Sequence, residues 1–400
     1  MNALQKSYPV IFIILMLMNG CSQSPTSVGA KLIPGSARYS SHDTTIAAVG
    51  DTSFKFSQAN GSGASLLVGN YASVNATSLL LFAAYLPDTL TTVQIDTAEL
   101  TLTSNYGWHV SLPPVPAQFQ IKEVLSSWSS STVTVDSLST IAMAPTNSAL
   151  VTITSQDTLS STLAIVTQID TSLVRRWINI SADTLLPRFF SLALVPAPGT
   201  VNCGVWGFSS FNSSTPPTLT IIYEKNGVKD STSLTNGVGT FLAASSPILA
   251  SAGIQTQGGI SEYSIIKFNL KPPLFDSVAS NRIIVNNATM SLTLKNSQSS
   301  VGYGSIDSVV AYLAGSATQL DSVGSSYYGY GYRKDTSQTT NSVYIFNITS
   351  MVQQWINVPS GNFGAELRAL GGSSNVDRHV FYSSADSVYG PKLSITYTKK

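Results

Sequence analysis

Four segments of this chain recur in the same order further along it, and that repetition constrains the fold more than any single motif. Residues 171–180 read TSLVRRWINI and residues 349–358 read TSMVQQWINV. PTLTIIY at 217–223 returns as PKLSITY at 391–397, TAELTLT at 97–103 as NATMSLTL at 287–294, and SLLLF at 78–82 as SIIKF at 264–268. Chance does not preserve four segments in order, so the chain predicts two tandem copies of one unit. The copies are expected over 43–225 and 228–400, with Asn226-Gly227 between them as a tight turn or short linker. Nothing longer or Pro-rich separates them, so they are expected to lie close together.

The recurring segments carry clear periods. Leu100 and Leu102 alternate with Thr101 and Thr103, and Met290, Leu292 and Leu294 alternate with Ser291 and Thr293. Leu219, Ile221 and Tyr223, like Leu393, Ile395 and Tyr397, repeat every second residue. A period of two marks strands with one buried face. Around each WIN sequence the period changes: Ile348, Met351, Val352, Trp355 and Ile356 form one stripe of a short amphipathic helix. Thr171 and Thr349 are the expected N-caps. Trp177 and Trp355 sit on apolar stripes and are expected in the core. Arg175-Arg176 is matched by Gln353-Gln354, which reads as a solvated helix face. The fold class is therefore all-β, each copy carrying one short helix.

The N-terminus points to export. Lys6 precedes the apolar run Val10 to Met18, which is too short for the ~20 residues of a membrane span and has the length of a secretory h-region. Gly20 then stands directly before Cys21. This arrangement resembles a bacterial lipobox, with residues 1–20 as signal peptide and Cys21 acylated as the mature N-terminus. A secretory signal cleaved nearby is the alternative. Residues 21–42 form a polar tether, and the expected location is the cell envelope, as an outer-membrane lipoprotein on either face.

Composition removes several classes of function. Only 10% of the residues are charged and the net charge is +1, so there is no electrostatic case for nucleic acid. With Cys21 acylated, Cys203 has no partner and is expected as a buried small hydrophobe. His42, His109 and His379 are the only histidines, and none has a metal-type partner two to four residues further on. No nucleophile elbow, phosphate loop or dinucleotide fingerprint appears. A hydrolase could pair carboxylates such as Asp51, Glu99, Glu123 or Glu262 only through the fold, so no catalytic residue, metal ligand or cofactor is assigned. Asp136, Asp157 and Asp170 are the residues that could hold a structural calcium ion.

Taken in order, the segments resemble the DNRLRE-type domain family, a β-jelly-roll module of exported bacterial proteins. The second copy carries an apolar strand ending in Phe268, the Ala288 to Leu292 strand, and the Thr349 to Trp355 helix. Asn362-Phe363-Gly364, Phe381 to Ser384 and Pro391 to Tyr397 follow. The first copy carries Phe82, Ala98 to Leu102, Trp128 with Val133-Thr134, Thr171 to Trp177, Phe208 to Ser210 and Pro217 to Tyr223. The second copy has no Trp at the place of Trp128, and the first lacks a clear Asn-Phe-Gly. The resemblance implies two tandem jelly-roll β-sandwiches. Since some members resemble carbohydrate-binding modules, it also implies a polysaccharide or glycan as partner.

Aromatic clusters are the candidate binding residues. Tyr327, Tyr328, Tyr330 and Tyr332 lie in YYGYGY within a Gly- and Ser-rich stretch, expected as a loop whose rings stack on sugar faces. Tyr106 and Trp108 are a second candidate of the same kind. The alternative, that alternate tyrosines pack beneath the loop or cover a sheet edge, stays open. The expected role is non-catalytic glycan binding at the envelope, reached through the lipid anchor. The other reading is a structural or adhesive protein with a protein partner.

Overall fold

The computed structural model describes residues 40–57, 59–61, 63–82, 86–110, 116–153, 164–183, 188–245, 253–270, 283–316, 324–334 and 341–399. The signal segment, Cys21 and the tether up to residue 39 lie outside these, as does Asp157. The first half builds β2 (Ser65–Tyr71), β3 (Val74–Phe82), β4 (Gln94–Trp108), β5 (Ala117–Glu123), β6 (Ala149–Ile153) and β7 (Ala164–Gln168). Helix α1 (Thr171–Ala182), β8 (Phe190–Pro196), β9 (Gly204–Ser209) and β10 (Thr218–Lys225) complete it. The second half repeats the order with β12 (Ile254–Gln257), β13 (Glu262–Phe268), β14 (Ile283–Thr293), β15 (Val309–Leu313), β16 (Gly324–Lys334) and β17 (Val343–Asn347). It ends with α2 (Thr349–Asn357), β18 (Ala365–Ala369), β19 (Arg378–Phe381) and β20 (Lys392–Lys399). A long strand precedes each half: β1 (Ser40–Lys55) and β11 (Val228–Ala244). The chain is all-β, its strands paired antiparallel.

The long strands are traded between the halves. One sheet runs β11-β10-β4-β9-β2-β3-β8-β5-β6 and the other β1-β20-β14-β17-β16-β15-β18-β13-β12-β19. In the first, β11 pairs with β10 through Val228 to Thr235, then with β3 through Asn236 to Ala244. In the second, β1 does the same with β20 and then β13. The sheets therefore do not divide at the expected boundary: residues 228–244 belong with the first half, and residues 40–55 with the second. The cause is local. Asn226 and Gly227 both have positive φ, 54° and 76°, as a two-residue hairpin turn requires. That turn folds β11 straight back onto β10, and the corresponding gap between β20 and β13 is filled from the N-terminal end.

Period-two residues face inward as expected. Leu100, Leu102, Leu219 and Ile221 are fully buried in one core, and Met290, Leu292, Leu393 and Ile395 in the other. Each helix lays its apolar stripe on its own core, and Trp177 and Trp355 are both buried. Each N-cap lies one residue upstream of the expected threonine, at Asp170 and at Ile348, and the Ile348 side chain makes no capping bond. Asp170 accepts from the Ser172 amide at 2.9 Å, and Asn347 Oδ1 accepts from the Thr349 amide at 3.1 Å. Thr349 Oγ1 instead accepts from the Ala288 amide at 2.9 Å, which ties α2 to β14.

The paired polar residues after the helix start are not simply solvated. Arg175 donates to the carbonyls of Leu90, Thr91 and Val93, and Arg176 pairs with Glu123. Gln353, at the matching position, donates to the Ile283 carbonyl at 3.3 Å and accepts from the Val285 amide at 2.8 Å. In both copies this side chain holds the entry of the strand beneath the helix.

Candidate functional site

The two halves treat one equivalent sheet face differently. In the first, Leu79, Ala193, Val124 and Leu242 are buried under the connection from β5 to β6, whose Trp128, Leu138, Ile141 and Met143 pack on them. Trp128 Nε1 donates to Ser191 Oγ at 2.9 Å, which fixes that cover. In the second, the connection from β15 to β16 spans only 314–323 and holds no aromatic residue. There Ile265 and Ala314 are buried, while Phe54, Phe56, Tyr263 and Phe363 around them are only partly covered. Among the described residues no aromatic side chain takes the place of Trp128 over that face.

A continuous line of rings crosses that face. Tyr330 and Tyr328 lie 5.4 Å apart, and Tyr328 and Tyr312 6.3 Å apart. The Arg368 guanidinium stands 5.5 Å from the Tyr312 ring centre and 4.7 Å from that of Tyr263. Tyr263 stacks on Phe56 at 6.3 Å, and Phe56 meets Phe54 at 6.3 Å. The register explains the alignment: Tyr328 is opposite Tyr312, Tyr312 opposite Glu366, and Tyr263 opposite Phe54. The line therefore runs across β16, β15, β18, β13 and β1, about 19 Å at the usual strand spacing.

The tyrosine run is a strand, not a loop. In β16 the odd positions turn inward, where a Cβ at Gly329 would sit 2.3 Å from the Asn347 carbonyl oxygen and one at Gly331 2.3 Å from the Phe346 ring. The glycines that suggested a loop are there because no side chain fits. Tyr328, Tyr330 and Tyr332 consequently point outward and are 48%, 56% and 60% exposed. Tyr327 takes the other side, with its hydroxyl 3.4 Å from Gln354 Oε1.

Beside the line lies a cleft of about 170 Å³, lined by Asn60, Gln257, Ser261, Tyr263, Arg368 and Ser373 together with glycine backbone. Asn60 is fixed by donating to the Phe241 and Gly259 carbonyls at 2.9 and 3.0 Å. Arg368 is held between two rings and donates from Nε to the buried Glu366. Burial pushes the Glu366 carboxyl above its ordinary value, and Arg368 opposes that rise.

Tyr106 and Trp108 are not surface residues. They are 2% and 4% exposed and belong to an apolar cluster with Leu67, Phe241, Ile260 and Val376 where the halves meet. Tyr106 donates to Asp377 Oδ1 at 2.8 Å and accepts from the Val376 amide at 3.2 Å. Trp108 Nε1 donates to the Ser300 carbonyl at 3.2 Å. A Tyr-Gly-Trp run looks like a loop, yet Gly107 bridges Tyr303 of the other half, which draws both flanking rings into the junction.

The other polar candidates also have structural surroundings. Asp51 accepts from the Ser384 amide, Glu123 holds Arg176 and Trp177, and Glu262 is buried opposite Lys55 at the head of β13. Asp170 caps α1, and Asp136 lies in a 3-10 turn at Val135–Thr140. Among the described residues no group of three or more His, Cys, Asp or Glu side chains is placed to hold a metal ion. His42 stacks on Tyr397, His109 on Tyr71, and the buried His379 bonds Asp307. Cys203 is a free, buried thiol.

Tyr312, Tyr263, Phe54, Phe56, Arg368 and Glu366 are site residues that motif reading missed. Tyr263 lies between buried Glu262 and Ser264, but Phe54 and Phe56 flank exposed Lys55 and Glu366 is itself buried, and sequence alone does not bring five strands side by side. No family model matches the chain, and no curated protein matches it.

Proposed function

We propose that this chain is a non-catalytic glycan-binding protein of the bacterial cell envelope, anchored through an acylated Cys21. Its halves are two DNRLRE-like jelly rolls, and its ligand lies on the aromatic face of the second. The observation that carries this reading is the line from Tyr330 to Phe54, left partly exposed among the described residues and set beside a cleft of amides and hydroxyls. Tyrosine rings offer an apolar face to a sugar ring and a hydroxyl to its substituents. A few convergent polar groups beside them supply orientation.

The second reading, a structural or adhesive role with a protein partner, has one observation behind it: the equivalent face of the first half is covered by polypeptide. That face is aliphatic, with Leu79, Ala193 and Leu242, whereas the open one carries phenols and an ion pair. A glycan array probed with the soluble fragment 22–400 tests the choice. Retention on defined glycans supports the proposal, and an array without a single hit above background rejects it.

A further inference from the structure

We propose that exposed serines standing directly after an aspartate, Ser231 and Ser387 foremost, are sites of O-glycosylation, each hydroxyl taking a sugar from a glycosyl diphosphate donor. The inference rests on the envelope location proposed above and is independent of the aromatic face.

A bias in the sequence leads there. The chain has 15 aspartates, and 14 of them stand directly before a serine or threonine; the exception is Asp377, before Arg378. Serine and threonine make up about a quarter of the chain, so chance would place one after about four of the aspartates. Neither chemical relative of aspartate shares the bias. None of the five glutamates precedes a serine or threonine, and only 4 of the 22 asparagines do. The third position is restricted too: it is Leu, Val or Ala after nine of the 14 pairs and Ser or Thr after the other five.

Folding does not account for this. A capping or turn preference would act on asparagine as well, because both side chains accept from nearby amides. Nor do the aspartates share a setting. Asp43 and Asp51 lie in β1, Asp96 in β4 and Asp230 in β11, while Asp170 caps α1. Their carboxylates also take unrelated partners. Asp43 accepts from Thr396 Oγ1 at 2.6 Å and Asp51 from the Ser384 amide at 2.6 Å. Asp230 accepts from the Tyr223 hydroxyl at 3.1 Å, and Asp386 from the Val388 and Tyr389 amides at 2.9 and 2.8 Å. What the pairs have in common is therefore chemical: a carboxylate of fixed length, a hydroxyl next to it, then a small or aliphatic side chain. That is what an enzyme reading a tripeptide needs, with a cationic group of its own for the carboxylate.

Exposure selects the reachable hydroxyls. Ser231 on β11 and Ser387 in the connection from β19 to β20 are exposed, whereas Ser308 is half-buried and donates to the Gly331 carbonyl at 3.1 Å. Charge selects the group. A phosphate would add nearly two negative charges beside a carboxylate that repels them, while a neutral sugar adds none. In the transfer, the serine oxygen attacks the anomeric carbon, and the new C–O bond forms as the bond to the diphosphate breaks. The electron pair of the broken bond leaves with the diphosphate, the hydroxyl proton passes to a base of the transferase, and nothing is oxidised or reduced.

The test is mass spectrometry of the full lipoprotein purified from the membrane fraction of the cells that make it, with electron-transfer fragmentation to place each added mass. The inference expects sugar masses on Ser231 and Ser387, released by mild alkali. Asp230→Asn keeps the Ser231 hydroxyl and an acceptor oxygen for Tyr223. It should lower occupancy at Ser231 about tenfold or more, the effect of losing one hydrogen bond to a charged group, and leave Ser387 unchanged. Asp386→Asn should do the reverse, so the untouched site in each variant reports that the chain is folded and exported.

An unmodified chain in the membrane fraction overturns the inference and leaves the envelope reading standing, and an unmodified chain in the cytosol overturns both. Phosphate on these serines overturns the sugar. Full occupancy of Ser231 in Asp230→Asn overturns the role given to the aspartate.

Discussion

Tyr106 donates its hydroxyl hydrogen to Asp377 at 2.8 Å across the junction between the halves. Both residues are buried, and burial raises the Asp377 carboxyl above its ordinary value even though Ser305, the Gly302 amide and Tyr106 all donate to it. This contact accounts for the burial of Tyr106 better than any role toward a ligand. Tyr106→Phe keeps the ring and removes one donor from a buried carboxylate, which should cost about 1–3 kcal/mol. The loss should appear as a lower melting temperature with glycan retention unchanged.

The traded strands set which pieces fold alone. β11 buries Leu234 and Leu242 in the first half and Phe241 and Ala243 where the halves meet, whereas β1 buries only Ala48 in the second. Residues 63–245 should therefore melt cooperatively by themselves. Residues 253–400 should not, because β20 and β13 would be left as unpaired edges. Adding a peptide of residues 40–57 should restore a cooperative β-type circular dichroism melt. A cooperative melt of 253–400 without the peptide contradicts this.

The two repeat tryptophans differ in one atom's partner. Trp177 Nε1 donates to Glu123 at 2.9 Å, while Trp355 Nε1 has no hydrogen-bond partner among the described residues. Either change to Ala should cost ~3–5 kcal/mol, as loss of a buried aromatic does. The changes to Phe should separate them, with Trp177→Phe the costlier by about 1 kcal/mol because it also strips a donor from a buried carboxylate. Urea unfolding of the four variants measures this, and equal Phe penalties would count against the assigned bond.

Asp307 gives the chain an acid-sensitive point. Burial alone would raise its carboxyl, but His379, Tyr344 and Arg333 donate to it and hold it well below its ordinary value. A depressed carboxyl stabilises the fold fully above the unfolded value near ~4 and loses that contribution as the pH falls below it. Asp307→Asn should thus be less stable than the parent at about pH 6, with the gap closing toward pH 2. A gap that does not narrow on acidification contradicts the arrangement.

Much of this was legible in the chain. The alternation of Leu100 and Leu102 and of Leu393 and Ile395 marked true strands, and the stripe through Met351, Val352 and Trp355 marked a true helix. The order of the repeats anticipated the matched halves. What the chain hid was pairing at a distance. Val228 to Ala244 carries the start of the second repeat yet belongs to the first sheet, because the choice lies in the Asn226-Gly227 turn and not in strand composition. Similarly, Tyr328, Tyr330 and Tyr332 were visible as rings, but their outward direction depended on what Gly329 and Gly331 face. Tyr263 joins the candidate site through Arg368 and Phe56, both distant in the chain, and Tyr312 through Arg368 as well as Tyr328.

The most direct test of the account is the variant Tyr328→Ala/Tyr330→Ala/Tyr332→Ala, compared with the parent chain for melting temperature and for retention on the best glycan of the array. These rings stand outside the core, so the variant should melt within about 2 °C of the parent, as surface changes usually allow. Its glycan retention should vanish. A variant that melts far lower would show that the rings support the sheet. A variant that melts normally and is retained like the parent would place the ligand elsewhere.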